Sequence, residues 1–362
     1  DHISRFLAPI SLLGALAVFV GVYFFEGPEP ALAALAGILC VCSPFSAMLV
    51  SNLPLKRVAK KLSKQGGMIA SYEEADRHYD INAAVLDSAQ IYPPSSIILH
   101  GVKTFGDGRI DDAIIDAASV MCMIGGTLSD IFMQVIGGNT ALLRHIDSLV
   151  YEDTMGISAW VESRRVLLGN RDLMRHHGRE VPSSDFEDRY RRDSRDVVYL
   201  ATGGDITAMF ILTYCANEDI GSALRELQRN RIALVNNNTD CNLTIQKLCR
   251  DFHLTPETIR ILPAGRQGDY LELTRNRLKQ PAGLAHTGGA IRTIRTIISA
   301  IRLKSTIMVS TILQTTGVIL GFAVFAVFSL LGGLQKLDIM LVLIYQLICL
   351  FISVLLTKLR KC

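Results

Sequence analysis

Four long runs free of Asp, Glu, Lys and Arg occupy residues 6–25, 31–55, 305–335 and 339–357. A bilayer core of about 30 Å takes roughly 20 helical residues, so each run predicts a spanning helix, and the four form two hairpins at opposite ends of the chain. The stretch between them has a different texture. Val85 and Leu86 lead into Asp87 as a buried strand would. Residues 196–202 and 206–213 read as a β pair around Gly203-Gly204-Asp205. Residues 220–230 have helical spacing, with Ala223, Leu224 and Leu227 on one face. A strand at 232–235, a helix at about 242–252 and a strand at 259–262 then make one βαβ unit. Alternating strands and helices predict a parallel α/β domain, and residues 94–182 read as a second lobe inserted into it.

Composition and charge agree with a hybrid of membrane and soluble parts. The 362 residues are 49% apolar with net charge +3 and mean hydropathy +0.31, too apolar for an ordinary soluble enzyme and too charged in the middle for a pure membrane bundle. Basic residues flank the apolar runs. Arg5 precedes the first, Lys56, Arg57, Lys60 and Lys61 follow the second, Arg302 and Lys304 precede the third, and Lys358, Arg360 and Lys361 follow the fourth. Basic flanks mark cytoplasmic ends, so the central block and both chain ends are expected in the cytoplasm. Eight cysteines without a C-x-x-C pair predict no disulfide framework there. Asp1 is not an initiator Met, and no signal-peptide n-region precedes the first apolar run; the sequence is therefore expected to be a piece of a longer protein or a processed chain. The basic run at 189–195 has few aromatics nearby for base stacking, so nucleic acid is not an expected partner. Arg175, His176 and His177 read as a surface helix end, and Arg292, Arg295 and Arg302 as contacts to lipid headgroups.

Particular residues carry a family resemblance. The run AAVLDSAQIYP ends its apolar part on Asp87, the basic segment KRVAKK at 56–61 begins twelve residues after Pro44, and ISAWVESRRVLLGNRDLM spans 157–174. The last is similar to the nucleotide-domain hairpin of metal pumps, which ends in V-x-x-G-N-x-x-L-M. In order and over essentially its whole length, the chain resembles the catalytic core of the heavy-metal-type P-type ATPases. The fold this implies is α-helical membrane hairpins plus a haloacid-dehalogenase-like, Rossmann-like phosphorylation domain with an inserted α+β nucleotide-binding-type domain. The corresponding division is a membrane hairpin and its extension at 1–64, the two parts of the phosphorylation domain at 65–93 and 183–300, the inserted domain at 94–182 and a second hairpin at 301–362. The implied partners are the lipid bilayer, a transition-metal cation, and another membrane transporter or the actuator region, which this sequence does not contain.

The resemblance implies site residues, and the sequence departs from the family at most of them. Aspartyl phosphorylation needs a nucleophilic carboxylate, Mg2+, a cation on the phosphoryl oxygens and positioned donors. Asp87 stands at the nucleophile, followed by Ser88, Ala89, Gln90 and Ile91 where the family has Lys, Thr, Gly and Thr. At the T-G-D motif stand Asn236, Asn237 and Asn238, with Asp240 two residues on; Asn236 is the expected donor to a phosphate oxygen. P-x-x-K matches Pro263 to Arg266, making Arg266 the expected phosphate cation, of different shape from Lys. No G-D-G-x-N-D run lies between Arg266 and Lys304, which removes acids that hold Mg2+; residues 283–289 resemble the segment that normally follows it. The adenine-contacting S-E-H-P is replaced at Gly125-Gly126-Thr127, and G-x-G keeps only Gly156. Gly169 and Asn170 remain as nucleotide contacts, although Gly-Asn is also an ordinary hairpin device. In place of C-P-C, Pro44 is flanked by Ser43 and Phe45, with Cys40 and Cys42 as the soft metal ligands one turn earlier. The following apolar run offers Gln314, Thr315 and Thr316 as polar groups but no Asn, Asp or Glu, so no intramembrane charge marks an ion path. ATP and Mg2+ are thus the cofactors of an active form. The expected function is that of a degenerate pseudo-pump with a regulatory or scaffolding role; the alternative is a divergent ATP-driven metal transporter phosphorylated on Asp87. A tethered phosphatase of the same fold ranks behind both, because Ala89 stands where such enzymes place a second acid.

Overall fold

The structure is a computed structural model and describes residues 2–43, 47–275, 282–331 and 339–360. In chain order it begins with α1 (His2–Glu26), α2 (Pro28–Cys42), α3 (Ala47–Lys64), β1 (Gly67–Ile69), α4 (Tyr72–Arg77), β2 (Ala83–Asp87) and α5 (Ser88–Ile91). There follow β3 (Ile97–Thr104), α6 (Ile110–Ile124), α7 (Ser129–Val135), β4 (Ile146–Glu152), β5 (Gly156–Val161), β6 (Arg164–Gly169), α8 (Arg171–His176), α9 (Ser184–Tyr190), β7 (Arg195–Thr202) and β8 (Asp205–Tyr214). The rest comprises α10 (Glu218–Arg229), β9 (Ala233–Asn237), α11 (Ile245–Phe252), β10 (Ile259–Ile261), α12 (Ala264–Arg275), β11 (Leu284–His286), α13 (Ala290–Leu330) and α14 (Ile339–Leu359). These elements fall into two compact units.

The first unit takes residues 1–80, 282–286 and 296–362. By length and composition, Phe6–Glu26, Ala290–Leu330 and Met340–Leu359 are helices able to cross a membrane. The second expected span is not one continuous helix. Its apolar run is divided between the 15-residue α2 and the separate α3, and the expected kink residue Pro44 lies outside the described residues. A physical reason is visible at Ser43, which leaves helical geometry at φ −106 and ψ 77, as a residue preceding proline is driven to do. Ala15, Val22, Ala31, Ala34, Ile38 and Phe325 pack as a buried cluster. Gly37 permits this approach, since a Cβ there would lie 2.3 Å from the Phe325 ring. Beyond the apolar spans, Val58 and Leu62 of α3 pack with Ile69, Ala300 and Leu303. There β1 and β11 pair antiparallel, and Lys304 bonds Asp76 and the Tyr72 hydroxyl.

The second unit takes residues 81–281 and 287–295. Its core is a parallel sheet in the order β10-β9-β2, with α10 and α11 each inserting apolar side chains such as Leu224, Leu227, Leu248 and Phe252 into the interior. This is the expected strand, helix, strand unit. Inserted between β2 and α10 is an antiparallel sheet in the order β3-β8-β7-β6-β5-β4. Strands β7 and β8 form the expected pair, and because β7 also pairs with β6 and β8 with β3, the pair belongs to the inserted sheet rather than to the phosphorylation domain. The inserted sheet therefore runs to Tyr214, well past residue 182, because only the full set of strands buries Leu167, Val197, Tyr199 and Met209 together. The β5–β6 turn is made by Glu162 and Ser163, both at positive φ (47 and 63), the twist a two-residue hairpin needs. Strand registers bring the ends 152, 156, 169, 195, 214 and the start at 97 to one rim of the sheet.

Candidate functional site

Strand β2 is half-buried on alternate residues and delivers Asp87 to its C-terminal end, where short α5 begins. Asp87 is the N-cap of that helix in a full capping box: its carboxylate accepts from the Gln90 backbone N–H, and the Gln90 Oε1 accepts from the Asp87 N–H at 3.2 Å. Such a reciprocal pair satisfies donors that a helix start otherwise leaves free. A second donor comes from the neighbouring strand, where Asn237 Nδ2 bonds Asp87 Oδ1 at 2.7 Å. Tyr270 of α12 stands near enough that burial first, and the Asp87 carboxylate next, push its phenol above its ordinary 10.0. The carboxylate expected to attack a phosphoryl group accepts from two protein donors, the Gln90 N–H and Asn237 Nδ2.

Asn236, the expected phosphate donor, does not reach Asp87. In the parallel register Asp87 lies opposite Asn237, while Asn236 lies opposite Leu86, and successive strand residues face opposite sides. Asn236 is fully buried, and neither end of its amide has a partner. Asn238 is used locally, donating to the carbonyls of Asp240 and Leu243. Arg266 stands in the first turn of α12 with its side chain 75% exposed, paired with Asp269 of the same helix at 3.5 Å; it faces solvent rather than the aspartate. Asp240 is buried instead of facing a metal. It accepts from the Tyr214 hydroxyl and from the Asn242 N–H, and burial raises it from 3.8 to about 6 against the pull of those two bonds.

The nucleotide candidates meet at the sheet rim. Gly156 and Gly169 face each other across β5 and β6. Gly156 has φ +143, and a Cβ there would sit 2.4 Å from the Leu168 carbonyl. Asn170 is not a hairpin residue: its Oδ1 caps α8 by accepting from Asp172 and Leu173, and its Nδ2 donates to the Thr154 carbonyl. All three residues therefore build a corner between two strands and a helix. Beside it lies a polar cleft of 630 Å³ lined by Asn170, Arg175, Asp196, Asn242 and Lys247 among others. Its buried cation, Lys247, is held by Asp196 at 2.6 Å and Asp251 at 3.5 Å. His177, read as part of an exposed helix end, is half-buried between Glu152 at 2.6 Å and Arg165 at 2.9 Å.

Metal sites fare differently from the expectation. Cys40 is exposed, whereas Cys42 packs on the buried cluster with Tyr345. Residues two apart on a helix do not share a face, so α2 does not bring these thiols to one ion. What reaches the end of α2 is Gln346 of α14, whose Nε2 donates to the Cys40 and Val41 carbonyls at 3.0 and 3.1 Å. Those carbonyls belong to the last turn, which has no helical partners. For Mg2+, among the described residues no group of three His, Cys, Asp or Glu is placed to hold a metal. With Asp87 accepting from protein donors and Asp240 turned to Tyr214, the residues present do not fit a Mg2+ centre of the usual carboxylate type.

The residues that sequence reasoning missed are Asn237 and Tyr270. A phase count along β9 from its buried Leu234 would have found the first; the second depends on the angle of α12, which no local signal carries.

No family model matches the chain. Over 275 residues (74% of the chain) it is 22% identical to a silver-exporting P-type ATPase of Salmonella typhimurium, and over 293 residues (78%) it is 20% identical to a copper-exporting P-type ATPase of Staphylococcus epidermidis. These matches cover 33% and 35% of the relatives, so the chain spans about one third of their length. The solved structure of a zinc-transporting PIB-type ATPase in an E2.Pi state matches 99% of this chain and 63% of that one, with a TM-score of 0.51 at 14% identity. The chain is an integral membrane protein related to the heavy-metal P-type ATPases, and it shares the fold of their membrane, phosphorylation and nucleotide-binding parts.

Proposed function

We propose that the protein is a degenerate pseudo-pump: a membrane-anchored relative of metal-exporting ATPases that keeps the phosphorylation and nucleotide-domain folds for a regulatory or scaffolding role. The single observation that carries this reading is the state of Asp87, whose carboxylate serves as a helix cap and accepts from Asn237. An attacking carboxylate needs free lone pairs aligned with phosphorus and a cation to neutralise developing charge. Here the carboxylate is committed to two protein donors, Arg266 points to solvent, and the family's G-D-G-x-N-D acids are missing from the sequence. The basic flanks support a cytoplasmic position for the central unit and both ends. Partners consistent with this role are a transition-metal pump of the same family, or the actuator region that such pumps carry.

Phosphoenzyme trapping tests the reading. The purified chain is incubated with γ-labelled ATP and Mg2+, quenched in acid and compared with Asp87→Asn. No acid-stable label is expected in either protein. Hydroxylamine-sensitive label that disappears in Asp87→Asn would overturn the pseudo-pump and establish the divergent transporter.

A further inference from the structure

The inserted sheet and the parallel core touch at more than the two connecting strands, and the contacts on the α12 side involve an anion. In the tight β4–β5 loop, Asp153 Oδ1 accepts a hydrogen bond of 2.7 Å from the Ala264 N–H. Ala264 is the first residue of the 12-residue α12. Its N–H is one of the four donors that a helix start leaves free, and the helix dipole favours negative charge there. The loop that presents Asp153 is itself fixed. Thr154 holds a left-handed φ of 61, its carbonyl is gripped by Asn170, and the Asn170 N–H bonds the Met155 carbonyl at 2.9 Å. Nearby, Thr239 of the core donates to the Gly125 carbonyl of the inserted lobe. Cys241 and Asp240 of the core are both buried, and the Cys241 thiol is pushed up by burial first and by the Asp240 charge next.

We propose that Asp153 is an internal latch: its carboxylate occupies the anion position at the start of α12 and holds the inserted lobe shut over the end of the core sheet that carries Asp87. The first turn of the same helix displays Arg266, so a cation and the free N–H groups of a helix start stand together there. Asp153 neutralises that turn from within the chain. The latch adds a conformational statement to the pseudo-pump reading and does not depend on it, because lobe closure is measured without nucleotide.

Hydrogen exchange on the full chain in detergent micelles tests the latch. In Asp153→Ala, amides at residues 262–268 and in the 151–156 loop are expected to exchange about fivefold faster, the ratio set by a typical anion at a helix N-terminus. Asp153→Asn, which keeps an acceptor oxygen without the charge, is expected to fall between. Amides of α10 serve as the control for an intact core. Exchange at 262–268 equal to that of the wild type, with α10 unchanged, overturns the proposal. Should Asp153→Ala fail to fold, salt applied to the wild type decides. Raising ionic strength from about 0.05 M to about 0.5 M screens an exposed charge, so faster exchange in the two segments supports the latch and unchanged exchange defeats it.

Discussion

Asp240 is a carboxylate turned inward. It is 2% exposed, bonded by Tyr214 and Asn242, and raised to about 6 chiefly by burial. A group with a higher pKa folded than unfolded binds its proton more tightly in the native state, so stability falls as pH rises between 3.8 and about 6. Asp240→Asn retains an acceptor for the Tyr214 hydroxyl and removes the charge. The variant is expected to gain stability over the wild type at pH 8 and to lose that advantage near pH 4, read by urea unfolding at the two pH values. At this scale the sequence was legible in kind and not in phase. It marked a run of three asparagines beside the candidate nucleophile, and the pairing register selects Asn237 over Asn236. It marked Arg266 as a cation near phosphate, but exposed position on the first turn of α12 leaves the guanidinium in solvent with Asp269. Residue type is written in one dimension, whereas the facing of a side chain depends on the partner strand.

Elements were legible where periodicity was strong. The long apolar runs at 6–25 and 339–357 became α1 and α14, and the βαβ unit formed nearly where its spacing placed it. The second apolar run shows why hydropathy alone was insufficient: it registers length and says nothing of continuity, and α2 stops at Cys42 with its last carbonyls taken by Gln346. Buried carbonyls left without a donor cost about 1–3 kcal/mol each. Gln346→Leu, which keeps volume and removes the amide, is therefore expected to lower the melting temperature in detergent by several degrees, whereas Gln314→Leu, on α13, is expected to change it little. At the sheet rim, Gly156→Ala forces a Cβ to within 2.4 Å of the Leu168 carbonyl at a φ that suits glycine. A loss of about 1–3 kcal/mol in chemical denaturation is expected from the strain, and Gly101→Ala, at a position with open space around it, is the matched comparison.

For the molecule as a whole, the order of membrane hairpin, split parallel core, inserted sheet and second hairpin was readable because apolar runs and alternating patterns differ so sharply in length. The boundary of the insertion was not, because a β pair looks the same whichever sheet receives it; only pairing to β3 and β6 assigns β7 and β8. Orientation rests on the basic flanks, and Cys215, exposed just after β8, offers a direct reading. A membrane-impermeant maleimide is expected to label Cys215 in inside-out vesicles and to leave it unlabelled in intact cells until they are permeabilised. The capping box at Asp87 has a further consequence for anyone wishing to build phosphoryl-transfer chemistry at this site by design. Its carboxylate fastens the first turn of α5 to the C-terminal end of β9, so introducing a Lys or a Mg2+-binding acid one at a time would ask the aspartate to abandon a joint of the fold. Such a change would have to rebuild both segments at once, because neither can move while the other still leans on the same carboxylate.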